Sequence, residues 1–247
     1  MTLDVFGWIT AAMCAIIIGM AKTGLPGMGI LVVPLMASII PAKASTGIIL
    51  PMLIFADIFA VAYYRRHAVW SHVLKLIPWA FTGIIIGWYL MDKIDDRQLK
   101  PVMGAIVLVM LALHYVRQSI TDHNTPIPNQ WYFAAFLGLV AGITTMMANA
   151  AGPIMIIYLL AMRLDKNEFI GTGAWYFLIL NCVKVPFSWQ LDLITPDSLG
   201  FNLVLFPLIA IGAIAGIYVV KKIPQKAFNI TVQLLAAAAA IKLIFSS

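Results

Sequence analysis

Charge is what this sequence has least of. Asp, Glu, Lys and Arg make up 11% of its 247 residues, where a soluble globular domain carries roughly 25%. No polar stretch is long enough to be a soluble domain, the longest being 117–129. Cysteine is nearly missing. Cys14 and Cys182 sit inside apolar runs, far apart and without metal-ligand spacing, which points to buried free thiols and no metal. The first six residues hold Asp4 and no Lys or Arg. They lack the positive region of a signal peptide, so the first apolar run is expected to stay as a membrane segment. The chain has no G-x-S-x-G, no H-E-x-x-H and no phosphate-binding P-loop. An enzyme is therefore not expected, nor a cofactor, nor nucleotide-driven pumping. The net charge of +6 does not argue for nucleic acid, because its basic residues fall in short connections between apolar runs.

What is present is apolar length. Hydrophobic residues make up 62% of the chain, and stretches of about 20 of them recur, each able to cross a hydrocarbon core of roughly 30 Å. A chain that spans bilayers must satisfy its backbone internally, as helices or as a closed barrel. These runs are continuous rather than alternating, which excludes the barrel. The reading is an all-α polytopic membrane protein with helical segments near 3–21, 29–40, 45–64, 72–91, 99–116, 131–147, 152–162, 168–190, 200–220 and 226–245. Segments 29–40 and 152–162 are too short to span alone. Each follows a break in otherwise apolar sequence, Thr23-Gly24-Leu25-Pro26-Gly27-Met28-Gly29 and Asn149-Ala150-Ala151-Gly152-Pro153.

The two halves repeat. Gly19 and Gly29 recur 123 residues later as Gly142 and Gly152. Thr46-Gly47 recurs at Thr172-Gly173. Pro78, Gly83, Gly87, Lys93 and Ile94 recur 129 residues later as Pro207, Gly212, Gly216, Lys222 and Ile223. Loop charge flips between equivalents. Arg65-Arg66-His67 is basic, whereas its counterpart holds Asp192 and Asp197; Asp92, Asp95 and Asp96 answer to Lys221, Lys222 and Lys226. Under the positive-inside rule the repeats have opposite orientation. The expected organisation is a first repeat over 1–117, a cytoplasmic linker over 118–130 and a second repeat over 131–247. Both termini lie outside the inner membrane, with Lys43 and Lys242 running against the trend.

Inverted repeats with broken helices are the recurring architecture of secondary transporters. A half-helix N-terminus offers free N–H groups and about half a positive charge, which suits an anion. Lys22 stands beside the first break, and its equivalent at the second is Thr145. Asn149 adds an amide, and Thr23 and Thr144 add hydroxyls that elsewhere bond their own helix. Lys184 and Asp57 are the other charges at membrane depth, where ionisable groups are costly. Asp57 is either a protonatable coupling group or half of a structural pair with a lysine. Asn181 shares a face with Lys184. Trp175 and Tyr176 are candidates to line a cavity, and His114, His67 and His72 have no clear site role.

Gly19 to Gly29, followed by Val33-Pro34-Leu35, resembles the first-repeat signature of the TauE/SafE sulfite exporter family, which includes the 4-toluene sulfonate uptake permease-like proteins. Ala148 to Pro153, Tyr158, and Phe169 to Lys184 with Thr172, Phe177 and Asn181 are similar to its second-repeat pattern. Pro26 departs from the glycine-rich core of the first signature. The resemblance implies export of sulfite, or of an organosulfonate such as sulfoacetate, across the bacterial inner membrane. The substrate-binding set is then Lys22, Thr23, Gly24, Gly27, Thr145, Asn149, Gly152, Asn181 and Lys184, with Asp57 as the candidate coupling group. The partners implied are a small anion, the lipid bilayer and, as a candidate assembly, a second copy. Two other classes stay open: a cation or proton antiporter using Asp57, and a membrane assembly factor that transports nothing.

Overall fold

The computed structural model describes residues 3–24, 28–119 and 131–219, and beyond them 234, 237, 238, 240–242, 244 and 245. Among these residues no strand occurs. The helices are α1 (Val5–Thr23), α2 (Val32–Ile39), α3 (Ala42–Tyr64), α4 (Trp70–Lys93), α5 (Asp96–Ser119), α6 (Trp131–Ala148), α7 (Gly152–Ala161), α8 (Lys166–Gln190) and α9 (Pro196–Val219). A 3₁₀ turn, Met28–Leu31, leads into α2. The linker expected at 118–130 and the tenth segment at 226–245 lie mostly outside the described residues.

Among the described residues six helices are long and apolar enough to cross a membrane: α1, α3, α4, α6, α8 and α9. At 1.5 Å per residue the 19 residues of α1 reach about 28 Å. Large apolar side chains such as Ile58, Phe136, Leu203 and Ile211 are exposed on the outer surface. That surface suits lipid and would be a liability in water. The all-α, multi-pass class read from the sequence is the one observed. Cys14 is buried, but Cys182 is exposed, against expectation. An apolar span has a lipid-facing side, and Cys182 lies on it while Asn181 beside it faces inward.

The tightest pairings are α4 with α6 and α1 with α9, and each joins one half of the chain to the other. Glycines make both seams. A side chain at Gly19 would meet the Ile209 carbonyl and Gly212, and one at Gly142 would meet the Ala80 carbonyl and Gly83. Gly216 rests on Met20 and Thr23, and Gly87 rests on Ile143 and Met146. The second contact of each pair is the first one moved by 123 and 129 residues. Small residues let helices approach closely where no hydrophobic force drives them together.

α3 packs on α8 with the chains running in opposite directions. Gly47 sits on Leu193, Asp57 on Asn181, and Gly171 on Tyr64. These two helices hold equivalent places in the two halves. Exchanging the halves thus swaps the two seams and leaves α3–α8 in place. Two core clusters follow the same rule. One joins α1, α2, α3 and α9 around Cys14, Met36, Met52 and Leu205. The other joins α4, α6, α7 and α8 around Ala80, Met146, Met155 and Tyr176.

Candidate functional site

Residues flanking the two breaks, Lys22 and Gly29 on one side and Asn149 and Gly152 on the other, line one cavity. α1 stops at Thr23, closed by Gly24, whose N–H bonds the Met20 carbonyl at 3.1 Å. α6 stops at Ala148, and Asn149 then takes φ 50°, a left-handed conformation that Asn tolerates better than most residues and that ends many helices. Its side chain joins three elements. Nδ2 donates to the Thr46 carbonyl on α3 at 3.1 Å, and Oδ1 accepts from Lys184 Nζ on α8 at 2.5 Å. Lys184 also donates to Thr145 Oγ1 at 3.2 Å. Just beyond, α7 begins at Gly152 with no side-chain cap and Pro153 in its first turn. Open space lies where Gly152 would carry a side chain.

Lys22, in the last turn of α1, places Nζ 2.8 Å from Asp57 Oδ1 on α3 and 4.1 Å from the centre of the Phe177 ring on α8. Asn181 Nδ2 donates to the other carboxylate oxygen at 2.7 Å. Asp57 has 0% exposure and Lys184 1%, whereas 14% of the Lys22 side chain is open. Between these groups lies a cavity of about 120 Å³. Liquid water occupies about 30 Å³ per molecule, so the space suits a small anion.

Six of the expected residues line this cavity: Lys22, Asp57, Thr145, Asn149, Gly152 and Asn181. Lys184 stands behind it, reaching it through Thr145 and Asn149. Thr23 does not face it. Its hydroxyl donates to the Gly19 carbonyl at 3.1 Å and to the Ala213 carbonyl at 2.7 Å, tying α1 to α9. One residue on from Lys22, the helix has turned about 100° away. Gly24 serves as the cap of α1 and is not in the wall. Gly27 lies outside the described residues, as does the side chain of His114.

Trp175 donates to the Arg65 carbonyl at 3.4 Å, and Tyr176 is buried in the second cluster. Neither lines the cavity. His72 Nδ1 lies 3.0 Å from the Tyr158 hydroxyl, away from it. Phe177 is a wall residue whose role sequence reasoning missed. The signal was present, since it precedes Asn181 by four residues and Lys184 by seven on one helix face.

The walls show the two halves at work. Gly29, Val32 and Val33 of the first half line the cavity together with their equivalents Gly152, Met155 and Ile156. The lining then continues along Leu159, Phe169, Ile170 and Gly173. It does not continue along their equivalents Met36, Lys43, Ala44 and Gly47. Gly47 is instead pressed on the Leu193 backbone, while Gly173 meets only Leu159 Cδ1 at 3.6 Å.

Lys22 has a carboxylate partner. Lys184 has none among the described residues and is held by a neutral hydroxyl and a neutral amide. With both lysines protonated the site carries one more positive than negative charge, in surroundings where an unpaired charge is costly. These features define a multi-pass helical membrane protein with a small cationic pocket where two broken helices meet. The family model described as Sulfite exporter TauE/SafE matches residues 11–243. The chain belongs to the TauE/SafE sulfite exporter family, whose members are membrane transporters of sulfite and related anions. No curated protein and no solved structure matches the chain.

Proposed function

We propose that this chain is a secondary transporter of the inner membrane that exports sulfite, or an organosulfonate such as sulfoacetate, by alternating access. The observation that carries this reading is the charge at the cavity. Lys184 is buried without a countercharge behind Thr145 and Asn149, Lys22 stands open at the wall, and the uncapped start of α7 adds its N–H groups. A small anion supplies what the site lacks. No nucleotide site is needed: an anion that leaves alone is favoured by about 2.3 kcal/mol per charge per 100 mV of negative-inside potential, and a monoanion that leaves with a proton follows the combined gradients of the two.

The moving parts in this reading are two bodies rather than the two halves of the chain. One is α1, α2, α3 and α9, and the other is α4, α6, α7 and α8. Lys22 and Asp57 belong to the first, and Thr145, Asn149, Asn181 and Lys184 to the second. The site lies between the bodies and is reshaped when they rock. Two inverted repeats, 1–117 and 131–247, with the linker 118–130 in the cytoplasm and both termini outside, complete the proposal.

The test is binding to purified protein across sulfite, sulfoacetate, taurine, thiosulfate, sulfate, acetate and chloride. Saturable binding of a sulfur oxyanion or a sulfonate, weakened in Lys184→Met, supports the reading. Binding of none of them by folded protein overturns it and leaves the assembly-factor reading. The burial of Asp57 favours a second reading, antiport of a cation against protons. Asp57→Asn protein that still binds the anion removes that option.

A further inference from the structure

Resting on the anion-transport reading, we propose that Asp57 is a proton site: an anion bound at Lys22 shares one ammonium with Asp57, and the Asp57 carboxylate then takes up one proton.

The geometry sets up the competition. Among the described residues Lys22 is the one cationic side chain in the cavity wall. Its Nζ lies 2.8 Å from Asp57 Oδ1, so an anion that contacts Nζ from the open side comes within a few ångströms of that oxygen. Asp57 is fully buried, with Asn181 as its other polar contact. An anion on Nζ draws away the countercharge that Asp57 holds, while Lys184 is engaged by Thr145 and Asn149, and two negative charges that close in dry surroundings favour protonation of one of them. The weaker acid of the two protonates, and against a sulfonate that is the carboxyl group.

Few other groups compete for the role. Facing Asp57 are Lys22 from α1 and Lys184 from α8, while Cys182 beside Asn181 lies on the exposed side of α8. α2 has no ionisable side chain, and α6 has only Tyr132 at its outer end. α9 carries Asp197 in its first turn and Tyr218 near its end. Asp96 of α5 accepts from the Lys43 N–H at the far end of α3, about 21 Å along the helix from Asp57.

The balance is simple. A proton from water on the open side of the cavity joins the Asp57 carboxylate to give a neutral carboxyl group. The new Oδ1–H can donate to the anion, while Oδ2 keeps the bond from Asn181. Lys22 keeps its charge and changes its counterion. A site that takes in a monoanion and one proton has the same net charge full or empty, so the bodies rock against the same electrostatic load in both directions.

The experiment measures proton uptake on binding of methanesulfonate, a monoanion with no other titratable group, to the full-length protein in weak buffer with a pH indicator. The charge of this probe is constant from about pH 6 to 9. Wild type is expected to take up one proton per anion near pH 7, with affinity falling about tenfold per pH unit above that. Asp57→Asn is expected to bind with no uptake and no pH dependence. Infrared difference spectra of wild type alone should show a carboxylate band replaced by a carboxyl band, which keeps the test alive if the variant fails to fold. Binding without uptake overturns the proposal. Uptake that persists in Asp57→Asn also overturns it and assigns the proton to Lys184. No binding of any anion ends the transporter reading, and this proposal with it.

Discussion

Lys22 and Lys184 are both cations within a membrane bundle, one part-exposed and one buried, and they are held differently, so their substitutions should differ. Lys184→Met removes a charge that has no carboxylate partner and fills its space with an apolar chain. Folding should be spared, and anion binding weakened about 10- to 100-fold, the loss of a charge-assisted hydrogen bond. Lys22→Ala strips Asp57 of its partner, a change that costs about 3–5 kcal/mol when the remaining charge is buried. It should lower the thermal unfolding midpoint as well as binding, and adding Asp57→Asn should recover the midpoint but not full binding. Sequence alone marked Lys22, Asn149, Asn181 and Lys184, because polar groups are expensive at that depth. It could not say which lysine meets Asp57, since the rotation of α1 and α8 about their axes depends on packing. Thr23 was misread for the same reason: one step along α1 turns it from the cavity to the Ala213 carbonyl.

At the scale of elements, glycine seams and helix ends carry the fold. Gly19 and Gly142 face matching backbone in α9 and α4. Gly19→Val and Gly142→Val should therefore destabilise by similar amounts, about 1–3 kcal/mol each from overpacking, read as shifts in the unfolding midpoint. Asn149 separates a backbone role from a side-chain role. Asn149→Gly keeps the left-handed turn and loses both side-chain bonds, while Asn149→Ala also strains the turn by about 1 kcal/mol or more. The two variants should lose anion binding equally, and the alanine variant should be the less stable. The glycine pairs and the two breaks were legible as spacing in the sequence. That each seam joins helices from opposite halves was not, because an offset between repeats does not reveal which copy is the neighbour.

At the scale of the molecule, the cavity runs along the second half's short helix as far as Leu159 but meets only the start of the first's, at Val32 and Val33. With Cys182 changed to Ser, a cysteine at Leu159 should react with a water-soluble thiol reagent, and one at Met36 should not. Under alternating access, conditions that favour the opposite state should reverse that order, and labelling rates on intact and inside-out vesicles check it. The helical class and the two breaks were readable from apolar length and Gly/Pro content. The pairings on which the proposed two mixed bodies rest were not, since they exist only once α1 lies on α9 and α6 on α4.

That exchange of partners reaches back to the making of the protein. The residues before the 118–130 connection leave the glycine face of α1 and that of α4 bare until α9 and α6 are made. The ribosome thus finishes half a molecule that has nothing to close on. Cutting the chain in that connection should give two fragments that are degraded singly and restore each other when produced together in one cell. Each is the template on which the other becomes a stable membrane domain.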